Sequence, residues 1–253
     1  MQRPRPTPPS VVDLPGDFRH RMLHTRGVRL HAAVAGTPAD PLVVLLHGAY
    51  GGWFDFRYTI APLARLGFHV AALDQRGFGL SDKPAPRGSD PLHLLRGDIK
   101  GAIATLGHAE ATLIAADTGA VLAGGLAQAA PHLVRATLTL PAEPPLPLPL
   151  RRLPAGLMQR LPQSQDQLDR AWRSGFARAL AFTGPSTVDA EEALALRLSA
   201  RRIDNALPHI MAAHRLRGRR ALGGEALGLG VLAHVVTPGA FVAAARRHLN
   251  SVY

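Results

Sequence analysis

Between Phe18 and Leu140 two kinds of apolar segment alternate along the chain. Pro41–His47, His69–Asp74 and Ala111–Asp117 are continuous apolar runs of strand length, the pattern of strands buried on both faces. Arg19–His24, Val28–Val34 and Val134–Leu140 read as further strands. Between them, Thr59–Leu66 has helical spacing and stops at Gly67, and a second helix enters through Ser89, Asp90 and Pro91 and runs to Leu106. A third spans Ala120–Ala130 and ends at Pro131. Strands alternating with helices predict an α/β fold, a parallel sheet covered on both faces.

The pattern changes at Pro141. Residues 141–154 hold six prolines without periodicity and read as a connector leaving the sheet. Helical spacing then dominates, over Asp166–Phe182 and Asp189–His214, the second with acids in its first turn. Only 33 residues follow Arg220. They offer one apolar run, Leu227–Val236, read as a strand returning to the sheet, and a helix over Gly239–Leu249. The expected organisation is a disordered Pro/Arg-rich lead-in (1–15), an α/β core (16–140 and 221–253) and a helical insertion (141–220).

Hydrophobic residues make up 47% of the 253-residue chain, enough for a large core, which excludes wholesale disorder. The net charge of +11 suggests a nucleic-acid partner, but 27 of the 29 basic residues are arginine and the excess is spread along the chain, as a coding bias would leave it. The one dense cluster, Arg215, Arg217, Arg219 and Arg220, lacks interleaved aromatics and reads as a solvated basic face. No export signal and no apolar stretch of bilayer length is visible, so the expectation is a cytoplasmic protein with no membrane and no nucleic-acid partner. Without cysteine there is no disulfide, thiolate metal site or cysteine nucleophile. No phosphate loop, dinucleotide fingerprint or zinc motif occurs, so neither a cofactor nor a metal is implied.

Three local sequences carry chemistry. The first buried strand ends in His47-Gly48-Ala49-Tyr50-Gly51-Gly52-Trp53, where glycines permit a turn with backbone N–H groups aimed at a ligand. The second ends in Asp74-Gln75-Arg76-Gly77, followed by Asp82, with Arg76 and Asp82 expected to tie that loop. The third, Ala115-Ala116-Asp117-Thr118-Gly119, lies at a strand-to-helix junction and fits a nucleophile elbow, small residues flanking a side chain held over the sheet at a helix N-terminus.

In this order and spacing the segments resemble the α/β-hydrolase family, best its aspartate-nucleophile branch, the epoxide hydrolases and haloalkane or haloacid dehalogenases. The resemblance implies an α/β-hydrolase-like, mostly parallel sheet with a helical cap and a shortened C-terminal half. It makes Asp117 the nucleophile, attacking a substrate carbon to give an alkyl ester that water cleaves. Backbone N–H groups of Ala49 and Thr118 match the oxyanion-hole donors, and His47, Gly48, Tyr50 and Trp53 shape the loop and pocket. Thr118 stands where dehalogenases usually carry a halide-holding Trp, and Tyr50 where many epoxide hydrolases have Pro. The cap of that family usually supplies two tyrosines, whereas Tyr50, Tyr58 and Tyr253 are the only ones here.

The family's catalytic histidine precedes a second histidine and a proline near the C-terminus. Laid on Gly230–Pro238, the catalytic position falls on Val231 and the auxiliary one on His234. His234 is therefore the candidate base and His248 a surface residue, with Glu143 or Glu225 as the candidate acid. Trp172, Phe176 and Phe182 read as core or, under the resemblance, as pocket lining. The reading is a hydrolase, monomeric or homodimeric, acting on a small apolar molecule, an epoxide ahead of a halide. The alternative is a catalytically impaired ligand-binding relative without the histidine.

Overall fold

A computed structural model describes residues 7–85, 91–145, 165–217, 219 and 223–253. The expected N-cap at Ser89 and Asp90, most of the proline-rich connector and Arg220 lie outside the described residues. The strands are β1 (Arg19–Thr25), β2 (Val28–Ala35), β3 (Leu42–Leu46), β4 (His69–Leu73), β5 (Ala111–Ala115), β6 (Val134–Thr139) and β7 (Glu225–Ala226), ordered β1-β2-β4-β3-β5-β6-β7. β1 and β2 form a hairpin across Arg26 and Gly27, both at positive φ as a tight two-residue turn requires. β2 is antiparallel to β4, and the other pairings are parallel. The result is a mostly parallel seven-stranded sheet.

Alternation along the strands builds a core on each face of the sheet. Val43, Leu45, Val70, Ala72 and Ile114 face one cluster, closed by Trp53, Phe56 and Phe241. Leu42, Val44, Leu46, Ala71 and Leu113 face the other, closed by α2 (Pro91–Thr105) and α3 (Thr118–Ala129). The remaining helices are α1 (Ile60–Ala64), α4 (Gln165–Ala181), α5 (Ala190–Arg202), α6 (Ala206–Leu216), α7 (Ala233–Val236) and α8 (Pro238–Val252). None among the described residues is long and apolar enough to cross a membrane.

Three expectations are corrected. The lead-in is pinned from Thr7 onward: Thr7 bridges Ile203, Pro9–Val12 forms a 3-10 turn, and Val12 is buried with its carbonyl accepting from Trp53 Nε1 at 3.0 Å. The helix expected over 189–214 is two, because the chain turns at Asn205 in the left-handed conformation (φ 60). The run Leu227–Val236 is not a strand. The sheet takes only Glu225 and Ala226, Gly228 follows at φ 66, and Ala233–Val236 closes into α7.

Candidate active site

The parallel register brings the C-terminal ends of β3, β4 and β5 level, with Leu46 opposite both Leu73 and Ala115. The loops that follow therefore meet on one rim, where open parallel sheets place their ligand crevices. Asp117 stands there at φ 49, ψ −120, between β5 and the start of α3. Such a conformation costs a non-glycine residue about 1–3 kcal/mol and persists only where the surroundings hold it. Here Ala116 N–H donates to Leu46 O and Leu140 N–H to Ala115 O, each at 2.9 Å. Close approach is what the small residues allow: a Cβ on Gly48 would lie 2.6 Å from Asp117 Cβ, and one on Gly119 2.6 Å from Leu46 O.

Asp117 is 4% exposed, and both oxygens of its carboxylate have partners. Ala49 N–H donates to Oδ2 at 3.1 Å. Oδ1 accepts from Glu143 N–H at 3.2 Å and pairs with the Arg217 guanidinium at 3.0 Å. Arg217 also donates to the Tyr50 hydroxyl (2.9 Å) and to Pro144 O (3.2 Å), and the Tyr50 hydroxyl lies 2.5 Å from His214 Nδ1. Burial works against the Arg217 cation, but the neighbouring Asp117, the hydrogen-bonded Tyr50 hydroxyl and Glu143 hold its pKa above the ordinary value. Of the arginine cluster expected on a solvated face, Arg215 and Arg219 are exposed, whereas Arg217 is turned inward onto the elbow.

The supporting residues fall around this centre. Buried His47 has its tautomer set: Nδ1–H donates to Gly48 O at 2.7 Å and Nε2 accepts from Gln75 N–H at 3.2 Å. Burial lowers its pKa. Thr118 opens α3 with its hydroxyl buried and without a hydrogen-bond partner among the described residues. Trp53 holds the loop from below, its N–H donating to Asp74 Oδ1 at 2.9 Å. Arg76 does not tie Asp82. It forks onto buried Asp98 with two bonds of 2.7 Å, and Asp82 instead takes Arg29.

Glu143 touches Asp117 only through its main chain. Its Oε2 accepts from Arg197 at 3.0 Å, and Arg197, from α5, also forks onto Asp55 at 2.9 and 3.2 Å. Desolvation raises the Glu143 pKa, against the pull of Arg197 and with a push from Asp117. Glu225 pairs with His248 at 2.9 Å, away from the elbow.

His234 is not assembled with Asp117. It is buried on α7 with its ring 4.8 Å from Phe56, and neither nitrogen has a hydrogen-bond partner among the described residues. Burial lowers its pKa to about 3, so it stays neutral. Val231 is buried. Trp172 and Phe176 are buried, Trp172 edge-on to Tyr50 at 5.6 Å, while Phe182 is 71% exposed.

Sequence reasoning missed Arg217 and His214, which reach the elbow from 100 and 97 residues downstream of Asp117 with no local motif. A cavity of about 420 Å³ lies beyond α6, lined by Val28, Arg76, Phe78, Leu95, His209 and Leu216 among others. Asp117 is not part of its wall.

Residues 41–212 match the family model described as alpha/beta hydrolase fold. Over 107 residues the chain is 42% identical to epoxide hydrolase B of Mycobacterium tuberculosis, covering 41% of this chain and 30% of that protein. It is 33% identical over 177 residues to epoxide hydrolase A of the same organism (68% and 49%), and 38% identical over 120 residues to the AB hydrolase superfamily protein YfhM of Bacillus subtilis (47% and 42%). The chain thus spans less than half the length of these curated relatives. Among solved structures, epoxide hydrolase A of Mycobacterium thermoresistibile aligns with TM-score 0.67 at 22% identity, over 92% of this chain and 98% of that one. The epoxide hydrolase CorEH aligns with TM-score 0.72 at 20% identity, over 93% and 100%, a likeness in fold alone. With two thirds of its length matched by one family model and the elbow, its loops and its sheet in place, the chain belongs to the α/β-hydrolase fold family.

Proposed function

We propose that this chain is a hydrolase that opens small, mostly apolar epoxides through an alkyl ester on Asp117. The observation that carries this reading is the elbow itself: a strained aspartate whose Oδ2 is held by the Ala49 N–H at 3.1 Å. Oδ1 attacks a ring carbon. The negative charge moves to the ring oxygen, and the aspartate becomes an ester. Water then attacks Cγ, and the charge developing on Oδ2 meets the Ala49 N–H, an oxyanion donor already in place. Glu143 N–H steadies the attacking oxygen. The names of the relatives at 33–42% identity support an epoxide over a halide.

The second step is the weak one. A base should stand within hydrogen-bond reach of the attacking water, about 3 Å or one water further. His234, apolar-packed and neutral, offers nothing of the kind, which favours slow release of the ester and the impaired alternative for this half of the reaction.

Incubation with a small aryl epoxide followed by denaturing mass spectrometry tests both steps. The expected result is one adduct on the peptide carrying Asp117, formed faster than diol is released and absent in Asp117→Asn. Diol turnover equal in wild type and Asp117→Asn, with no adduct, overturns the reading.

A further inference from the structure

We propose that Arg217 is a catalytic residue of the ring opening: it leaves the Asp117 carboxylate for the substrate's ring oxygen, and so selects electrophiles whose negative charge stays in the site. The proposal rests on Asp117 acting as the nucleophile.

The Arg217 side chain is 10% exposed, and its counterion is Asp117 Oδ1 at 3.0 Å. Alkylation turns that carboxylate into a neutral ester. A cation with so little access to water would then lack a partner, the situation in which a buried pair becomes costly. Epoxide opening avoids this. As the Oδ1–carbon bond forms and the ring carbon–oxygen bond breaks, the electron pair goes to the ring oxygen, which stays tethered within the new ester. One full negative charge is still present, displaced by the length of the three-membered ring. The arm of Arg217 released from Oδ1 can follow it without leaving the site. The other arm stays anchored on the Tyr50 hydroxyl at 2.9 Å and on Pro144 O at 3.2 Å. In the second step the hydroxide part of water bonds to Cγ and the carbonyl carbon–Oδ1 bond breaks. Both water protons end on the two oxygens of the diol, and Asp117 is a carboxylate again, ready to take Arg217 back.

An alkyl halide differs in one respect. Its charge leaves on a separate ion that is free to depart, so the guanidinium is not provided with a lasting partner. Arg217 therefore discriminates between the two classes through the fate of the leaving charge, and not through pocket size. The same contact explains how a carboxylate whose Oδ1 accepts from Glu143 N–H and is paired with a guanidinium can be a nucleophile: of the two groups on Oδ1, Arg217 is the one the reaction draws away.

The test is a ratio measured on one preparation, which cancels any loss of folded protein. Rates of Asp117 alkylation by a small aryl epoxide and by a primary alkyl bromide are read by intact mass for wild type, Arg217→Gln and Arg217→Lys. Removing a preorganised donor of this kind should lower the epoxide-to-bromide ratio by at least about tenfold in Arg217→Gln. Arg217→Lys, which keeps the charge, should recover part of it. An unchanged ratio, with both rates rising or both falling together, overturns the proposal and leaves Arg217 a cap or a counterion. No Asp117 adduct in the wild type with either reagent is a separate result, which sinks the nucleophile reading itself.

Discussion

Glu143 meets Asp117 with its main chain and turns its side chain away: the N–H donates to Oδ1 at 3.2 Å, while the carboxylate accepts from Arg197 at 3.0 Å. The residue with the best spacing for a triad acid thus belongs to a buried Asp55–Arg197–Glu143 cluster that fastens α5 to the rim of the sheet.

That cluster sets a stability prediction. Arg197→Met leaves two buried carboxylates without their cation, and loss of one partner of a buried ion pair costs about 3–5 kcal/mol. Urea unfolding should show a loss of this size. Adding Asp55→Asn and Glu143→Gln to the same variant should restore most of it, and no recovery would assign the loss to packing.

His234 predicts a pH dependence. Its pKa is about 3 in the folded chain against an ordinary 6.5, so below pH 6.5 the unfolded chain takes a proton that the folded chain refuses. The stability from burying it neutral is complete above 6.5 and falls, by about 1.4 kcal/mol per pH unit, as pH drops toward 3. His234→Leu removes this component. Unfolding free energies at pH 7.5 and 4.5 should converge in the variant relative to wild type, and equal slopes would contradict the assignment.

Gly119→Ala should destabilise without touching any charged group. The added methyl meets the main-chain oxygens of Leu46 and His47 at 2.6 and 2.8 Å, which side-chain motion cannot relieve. Forced overpacking of this kind costs about 1–3 kcal/mol. A melting temperature within error of wild type would contradict a β3–α3 approach this close.

A double-mutant cycle between Arg76 and Asp98 should give a coupling of about 1–3 kcal/mol, against a value within error for Arg76 and Asp82. The first pair is bidentate and part-buried, whereas Asp82 is committed to Arg29. The reverse ranking would restore the tie expected from sequence.

What was legible in the sequence was local. Continuous apolar runs gave β3, β4 and β5, and small residues at fixed offsets gave Asp117, Gly48 and Ala49 a common rim, because strand length and tight turns are short-range properties. Composition could not distinguish a strand from a buried helical turn over Leu227–Val236, and helical spacing ran unbroken across Asn205, where one left-handed residue turns the chain. The Arg76–Asp82 tie failed for a related reason: nearness in sequence is no guide to ion pairing when Asp98 lies closer in space. Arg217 was invisible because nothing about an arginine among arginines says which one turns inward.

The twisted backbone at Asp117 has a consequence for how the protein can be followed. Two main-chain donors on its carboxylate, from Ala49 and Glu143, and its ion pair with Arg217 help to hold a main-chain geometry that the residue would otherwise abandon. Esterification weakens those anchors together, so an alkylated molecule should melt earlier than an untouched one. Its thermal trace would then serve as a label-free record of whether the elbow has reacted.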